Sequence, residues 1–172
     1  LLWQDDAVDG IKTGHTDEAG YCLVASAQKD NMRLISVVMG TRSEKDRAAE
    51  SQKLITYGFR FYETVKSYDA KQELLASEIW KGDSNSIKLG TEEAIWLTIP
   101  RGTADDITAD IEVPELLMAP IAAGEKIGTI QLTLNGDTVA TKPLIALESV
   151  DEGGLFKRLW HWLVLMIKGL FS

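Results

Sequence analysis

Three apolar stretches near the start of the chain alternate with turn residues and predict an antiparallel meander. The first is the short run Val8–Ile11, and the longer runs Tyr21–Ala27 and Arg33–Met39 are rich in apolar and β-branched residues. The polar segment Lys29–Asn31 marks the turn between the last two runs, and Gly40 closes the third. The pattern therefore predicts three neighbouring strands that form one small sheet.

The segment after this meander has the spacing of an amphipathic helix that begins at Ser43 and fades near Glu63. Ser43 and Asp46 stand three residues apart, as in a capping box, although aspartate is a weaker partner than glutamate at that position. The apolar face consists of Leu54, Tyr57 and Phe61, with Ile55 and Phe59 beside them. We expect this face to pack on the meander.

From about Ser67 the apolar runs become short, and Gly, Asn, Asp and Pro separate them. The runs are Ser77–Trp80, Ile87–Leu89, Ala94–Ile99, Ile107–Val113, Ile127–Leu134 and Thr138–Leu147. Short runs with this spacing predict an all-β domain, either a small sandwich or a barrel. Asn135 and Gly136 supply the positive-φ residues of a tight hairpin turn, and Pro143 indicates that its strand lies at a sheet edge.

The last segment, after the glycine pair 153–154, has the pattern of an amphipathic helix. Lys157, His161 and Lys168 fall on one side, and large apolar side chains cover the remainder. The longest unbroken apolar run, Trp162–Ile167, is far shorter than the roughly 20 residues that a bilayer-spanning helix needs. The pattern therefore predicts a helix that does not cross a membrane.

A helix of this kind is typical of the membrane interface, where cations turn toward headgroups and tryptophans lie at the boundary. The expected anchor residues are Phe156, Lys157, Arg158, Trp160, Trp162 and Lys168. The alternative is a terminal helix that packs on the protein's own body or on a second copy of the chain. The tryptophans and the basic stripe favour the membrane surface, because they suit headgroups better than they suit an acidic core.

The charge of the chain excludes one class of partner. The net charge of −8 over 172 residues argues against nucleic acid, because phosphate binding needs a basic surface. The tail from residue 153 carries three basic and no acidic residues, so the tail and the acidic body have different neighbours. The single cysteine excludes an internal disulfide, and the distant His15 and His161 give no metal-ligand spacing, so we expect no metal and no cofactor.

Candidate chemistry lies in the segment Ile11–Gly14, which we place on a strand at the rim of a cleft. Alternation sends Lys12 and Thr13 to opposite faces, unless the strand forms a sheet edge. At an edge the ammonium attracts a carboxylate, the hydroxyl donates a hydrogen bond to it, and Gly14 leaves room for a close approach. This combination suits the C-terminal carboxylate of a peptide. The alternative is a strand end that runs into a turn, since three common residues often occur together by chance.

Longer stretches of the sequence carry a family resemblance that covers essentially the whole chain. They are VDGIKTGHTDEAGYCLVASA, MRLISVVMGTRSEKDRAAESQKL, YGFRFYE, IWKGDS, LTIPRG and GEKIGTIQLTLNGDTVATKPLIAL. Together with the amphipathic tail they resemble the low-molecular-mass D-alanyl-D-alanine carboxypeptidases of the penicillin-binding protein 5 and 6 group. Lys-Thr-Gly is one of the boxes of serine β-lactamases and penicillin-binding proteins, beside Ser-x-x-Lys and Ser-x-Asn.

The resemblance implies a hydrolase in which a serine attacks the D-Ala-D-Ala bond of cell-wall stem peptides and a lysine acts as base. It implies that Lys12 and Thr13 bind the substrate carboxylate, with Gly14 beside them, and that His15 flanks the cleft. Arg47 matches an arginine that supports carboxylate binding in the family. The alternative for Arg47 is a solvated charge in the first turn of the helix.

The nucleophile and Ser-x-Asn boxes precede Lys-Thr-Gly in the family, whereas only Leu1–Gly10 precede the Ile11–Gly14 segment here. We therefore expect no catalytic serine or base lysine in this chain, and no activity from it alone. The string from Ser26 to Lys29 matches Ser-x-x-Lys by chance, because it ends a strand, and Asp83–Asn85 is a turn. Three strands and one helix would also leave a sheet edge and an apolar face uncovered.

The predicted fold class is α+β. Residues 1–66 form the C-terminal part of a serine β-lactamase/transpeptidase-like domain, 67–150 an all-β sandwich-like domain, and 151–172 an amphipathic membrane anchor. The implied partners are peptidoglycan stem peptides, β-lactams, the membrane surface and a missing N-terminal catalytic segment, at the periplasmic face of a bacterial inner membrane. The alternative is a non-catalytic membrane-associated β-domain that serves as a spacer or a protein-binding module.

Overall fold

The computed structural model describes residues 1–170, with backbone alone for residue 165 and residues 167–170. The chain divides into two compact units. The first unit contains Leu1–Val65 and Thr98–Asp105, and the second contains Lys66–Leu97 and the chain from Asp106 onward. The predicted division at residues 66 and 150 stays a prediction, and the return of 98–105 to the first unit is a feature that the sequence pattern does not indicate.

The first unit is built on a three-stranded antiparallel sheet in the order β1-β2-β3. The strands are β1 (Val8–Thr16), β2 (Gly20–Lys29) and β3 (Met32–Thr41), and this confirms the predicted meander. β1 is longer than the predicted run, so the Lys-Thr-Gly-His segment lies inside the strand. The first unit therefore presents these four residues on regular, extended backbone.

Helix α1 (Glu44–Phe61) follows the sheet and begins as the sequence predicts. The Ser43 side chain accepts a hydrogen bond from the Asp46 amide at 3.1 Å and caps the helix. The predicted packing face is wrong for Leu54, Tyr57 and Phe61, which are exposed. It is confirmed for Ile55, which is buried, and for Phe59, which packs against the same core. The buried residues of α1 are Ser51, Ile55 and Gly58.

Gly58 explains the shift of the buried face. A Cβ atom at this position would lie 2.5 Å from a methyl carbon of Leu34 on β3, so the Leu34 side chain occupies the space that a side chain at position 58 would need. Ile55 then reaches the core formed with Val8, Leu23, Ala25 and Ala27. Small residues let the helix approach the sheet closely, and the bulkier residues beside them turn outward.

In the described part of the chain, eight strands follow α1. They are β4 (Tyr62–Tyr68), β5 (Leu75–Trp80), β6 (Ser86–Gly90), β7 (Ile95–Pro100), β8 (Ile107–Glu112), β9 (Leu117–Met118), β10 (Lys126–Leu134) and β11 (Asp137–Ala146). β4 and β7 pair in a two-stranded sheet, and the chain passes between the units within these two strands. β4 and β9 are absent from the predicted runs, because β4 continues the helix without a turn residue and β9 spans two residues.

The second unit contains a six-stranded sheet in the order β8-β10-β11-β6-β5-β9. Its core cluster consists of Ile79, Ile87, Leu89, Leu117, Ile121, Ala146 and Val150. The predicted turn at Asn135-Gly136 is confirmed, because both residues have positive φ and join Leu134 to Asp137. The predominance of strands with helices at 44–61 and 155–170 agrees with the predicted α+β class.

Pro143 does not lie on an outer strand of this sheet, contrary to the prediction. β11 stands between β10 and β6, and Pro143 pairs across to Thr129 of β10. The register with β6 runs through Ile145 and Ala146, so in the described chain Pro143 sits where β11 has a partner on one side. The missing amide hydrogen of proline is therefore tolerated inside the sheet, since no ladder partner on the open side needs it.

Candidate functional site

The strand with the Lys-Thr-Gly segment lies at the edge of its sheet among the described residues. β1 pairs with β2, where Lys12 faces Val24 and Thr13 faces Leu23. Leu23 belongs to the core under α1, so Thr13 lies on the helix side of the sheet and Lys12 on the other side. β1 therefore lies at the sheet edge, and the Lys12 and Thr13 side chains still alternate between its two faces.

Lys12, Thr13 and Arg47 line one groove, which we name the edge groove. The groove has a volume of about 590 Å³, and Leu1–Trp3 and Glu44 contribute to its walls. Lys12 is exposed, and its Nζ donates a hydrogen bond to the Thr13 carbonyl oxygen at 2.9 Å. The groove is therefore lined by a lysine, a threonine and an arginine, and the Lys12 side chain leaves the strand on the face opposite that of Thr13.

Arg47 in the first turn of α1 reaches back to β1 and β2. Its Nη1 donates to the carbonyl oxygens of Gly14 at 3.2 Å and Cys22 at 3.5 Å, and its Nη2 faces the Glu44 carboxylate at 3.3 Å. The side chain is 11% exposed. Its surroundings differ from those of a freely solvated charge in a helix turn, because the guanidinium is held against the strand with Lys12.

Tyr21 is a neighbour of the site that the sequence analysis missed. The centroid of its ring lies 4.0 Å from that of His15. The guanidinium carbon of Arg47 lies 5.5 Å from the centroid of the Tyr21 ring. Tyr21 pairs directly with His15 across β1 and β2. The hairpin register was the available signal, because it places Tyr21 opposite His15 once the turn after Thr16 is recognised.

Gly14 is a position where the described residues do not require glycine. A Cβ atom there would have no heavy atom within 4 Å. At Gly58, by contrast, an added Cβ would collide with Leu34. The space over Gly14 is open, so an approaching backbone could use it. His15 lies next to it on the strand, exposed and stacked on Tyr21.

The structure places Ser26, the serine of the Ser26–Lys29 string, in a buried hydrogen-bonded contact rather than beside a lysine. Arg33 donates hydrogen bonds to the Ser26 hydroxyl and, at 2.8 Å, to the Asp9 carboxylate. The hydrogen bond from Arg33 holds the pKa of Asp9 below its ordinary value, and a hydrogen bond from Ser26 has a smaller effect in the same direction. Ser26 is buried and Lys29 is exposed, so the string does not form a serine–lysine pair.

The predicted anchor residues lie on helix α2 (Leu155–Leu170). Phe156, Trp160 and Trp162 are exposed, and Arg158 forms an ion pair with Glu152. Lys157 instead donates hydrogen bonds to main-chain carbonyls of the second unit, at Asp83 and Ser84. The side chain of Lys168 lies outside the described residues. Among the helices described, none combines the length and apolarity that crossing a membrane requires.

Two families match the chain. Residues 62–152, more than half of it, match the family described as penicillin-binding protein 5, C-terminal domain. Residues 1–43 match the family described as D-alanyl-D-alanine carboxypeptidase. The second match contains the edge strand with Lys12 and Thr13, and the first contains the strands of the second unit.

Two relatives match this chain over its whole length. D-alanyl-D-alanine carboxypeptidase DacA of Escherichia coli (strain K12) is 45% identical over 174 residues, covering 100% of this chain and 43% of the relative. DacA of Haemophilus influenzae is 46% identical over 175 residues, covering 100% of this chain and 44% of the relative. The chain therefore spans less than half the length of these relatives.

A solved structure of penicillin-binding protein 5 from Haemophilus influenzae is similar in fold. It superposes with a TM-score of 0.79 at 44% identity, covering 88% of this chain and 45% of the other. This match and the family match confirm the predicted fold class. The chain thus belongs to the penicillin-binding protein 5 family of D-alanyl-D-alanine carboxypeptidases, matching its C-terminal domain and part of the segment before it.

Proposed function

We propose that this chain supplies the carboxylate-binding half of the active site of a serine-type D-alanyl-D-alanine carboxypeptidase. The observation that supports it is the convergence of Lys12, Thr13 and Arg47 on the edge groove. A lysine, a hydroxyl and an arginine in one concave surface suit a peptide's terminal carboxylate, since charge-assisted hydrogen bonds to an anion are the strong ones. Gly14 and His15 follow on the same strand, next to the residues that line the groove.

The open edge of β1 supports an extended peptide as the substrate. Its unpaired backbone groups can add a strand of substrate to the sheet, which is a recurring mode of peptide recognition. The space over Gly14 admits that backbone. Tyr21 stacks on His15 and contacts Arg47, so it holds two members of the site in position.

The chemical step needs residues that we assign to polypeptide outside these 172 residues. There a serine hydroxyl attacks the peptide carbonyl, a lysine takes its proton, and the D-alanine amine leaves. Water then hydrolyses the acyl-enzyme. In this scheme the edge groove binds and orients, and a β-lactam bearing a carboxylate occupies the same groove and acylates the same serine.

Labelling with a fluorescent penicillin tests this division. We expect no covalent label on the 172-residue chain and a labelled band from a chain extended at its N-terminus to the length of the relatives. A labelled band from the 172-residue chain would mean that its own residues include the nucleophile. A folded, full-length chain that stays unlabelled would contradict the carboxypeptidase proposal.

We further propose that α2 holds the protein at a membrane surface, on the periplasmic face of the inner membrane where stem peptides lie. The exposure of Phe156, Trp160 and Trp162 supports this, because such side chains suit the boundary between acyl chains and headgroups. Removal of residues 153–172 should release the chain from lipid vesicles in a sedimentation assay. Continued sedimentation of the shortened chain would assign the anchor to another segment.

A further inference from the structure

Two polar side chains of α2 turn toward the segment that follows β5. The His161 Nδ1 accepts a hydrogen bond from the Lys81 amide at 2.8 Å, and its ring meets Trp80 edge-on at 5.1 Å between centroids. Lys157, one turn earlier, donates from Nζ to the carbonyl oxygens of Asp83 at 3.1 Å and Ser84 at 3.3 Å. Both contacts engage main-chain groups, so they depend on the course of this segment rather than on its side chains.

The backbone that leads into α2 is fixed to the same segment. Gly82 bridges Glu152, and the Gly153 amide donates to the Lys81 carbonyl oxygen at 2.7 Å. A Cβ atom at Gly153 would lie 2.5 Å from the Gly82 oxygen, so the two main chains touch where a side chain has no room. The helix therefore starts from an anchored residue.

Helical geometry puts the polar contacts on one side and the apolar surface on the other. Steps of four and three residues align Lys157, His161 and Val164, and these three are half-buried. The opposite side is exposed and consists of Phe156, Leu159, Trp160, Leu163 and Met166. Lys157 and His161 thus face the protein, whereas the apolar face is open.

We propose that Lys157 and His161 form a latch that docks α2 on residues 80–84, and that the latch decides which face of the helix meets lipid. The helix is then a rigid extension of the second unit and not a flexible tether. The apolar side of the helix then enters the membrane interface, while the Lys157 ammonium stays hydrogen-bonded to the carbonyl oxygens of Asp83 and Ser84. The part of this inference that concerns lipid rests on the proposed membrane association.

Amide hydrogen exchange at Lys81, measured on the 172-residue chain without lipid, tests the latch itself. His161→Phe keeps a ring against Trp80 and removes the acceptor, so the Lys81 amide should exchange roughly two- to tenfold faster. His161→Asn is the matched variant, because its Oδ1 stands as many bonds from the backbone as the Nδ1 of histidine. It should retain more of the protection than the phenylalanine variant.

Equal exchange at Lys81 in the native chain and in His161→Phe would overturn the latch. Faster exchange throughout the second unit would reveal a general loss of fold in the variant, so the exchange of β10 amides is followed in the same spectra. Should β10 also accelerate, Lys157→Gln provides the second reading. Its expected effect is faster exchange of Lys81 with β10 unchanged, and no effect there would equally overturn the latch.

Binding to vesicles of zwitterionic lipid with a graded fraction of anionic lipid tests the lipid half. Lys157→Gln should change binding by the same factor on zwitterionic and on anionic vesicles, because the Lys157 charge faces the protein. A roughly fivefold loss on anionic vesicles, as expected for a cation at the lipid surface, would overturn the proposed orientation. Phe156→Ser should weaken binding at all compositions. If the native chain binds no vesicles, the membrane proposal fails, while the Lys81 exchange still decides the latch.

Discussion

The two units of the chain bury their apolar residues to different extents. The second unit has a core in which Ile87, Leu89 and Ala146 are completely buried and which includes strands from both halves of its sheet. The first unit has a smaller core under α1, and it leaves Ile35, Val37 and Met39 exposed on the other face of its sheet. The sheet of the second unit therefore packs on a core of its own, whereas the sheet of the first unit leaves one apolar face open.

This difference between the units bears on the proposed site, which lies in the unit with the open sheet face. An exposed sheet edge and apolar sheet face, which the sequence analysis predicts, are uncommon in a self-sufficient domain. The edge groove lies in the first unit. The relatives of this chain are more than twice as long as the chain itself. The open face of this sheet is therefore compatible with the proposal that polypeptide outside these 172 residues completes the site.

A matched pair of leucines gives the largest test of this comparison. Leu89→Ala removes a completely buried side chain from the second unit and should lower the free energy of unfolding by about 2–5 kcal/mol. Leu54→Ala, on the exposed side of α1, should change it by less than about 0.5 kcal/mol. Urea unfolding monitored by circular dichroism measures both. Equal losses would mean that α1 packs through Leu54 after all.

The cap of α1 gives the next largest effect. Ser43→Ala removes the acceptor for the Asp46 amide and should cost about 1 kcal/mol of stability in the first unit. Ser43→Asp keeps an acceptor and should lose much less. Unfolding of the first unit is followed by hydrogen exchange of the α1 amides. A cost that is the same for both variants would remove the cap from the account.

Two adjacent valines of β3 sharpen the contrast between the faces of its sheet. Val37→Lys places a charge on the exposed face, so it should leave stability within about 0.5 kcal/mol and reduce self-association in sedimentation velocity. Val38→Lys places the same charge on the buried face and should unfold the unit. A strong destabilisation by Val37→Lys would show that this face is covered in solution.

The smallest effect concerns the pH dependence of the first unit. The lowered pKa of Asp9 means that its contribution to stability is complete above the ordinary carboxyl pKa of 3.8 and is lost as pH falls through the lowered value. Asp9→Asn removes this term, so the urea midpoint should fall less steeply between about pH 5 and pH 3. An unchanged slope would exclude the Asp9–Arg33 pair as a contributor.

Local patterns predicted much of this structure, and long-range packing explains where they failed. The hairpin at Asn135-Gly136 and the start of α1 at Ser43 follow from the conformations of single residues, which the sequence states directly. The buried face of α1 was misjudged because a small residue, Gly58, receives Leu34 from another element. Periodicity ranks positions by hydrophobicity and cannot detect that kind of fit.

The candidate sites show the same limit. Lys12 and Thr13 could be selected by motif, and Arg47 by resemblance, yet the role of Tyr21 depends on cross-strand register. On α2 the stripe of Lys157 and His161 reads as a lipid-facing surface by composition. Its partner is a stretch of backbone some eighty positions earlier, and no pattern in the helix itself reveals that contact.

Acylation kinetics of Lys12→Ala in the N-terminally extended protein test the central claim most directly. With a fluorescent penicillin, the account predicts a second-order acylation rate reduced roughly 10- to 150-fold, since one charge-assisted contact worth about 1.5–3 kcal/mol is lost. Lys29→Ala, an exposed lysine at the far end of β2, is the control and should acylate at the native rate. An unchanged rate for Lys12→Ala would contradict the assignment of the edge groove as the carboxylate site.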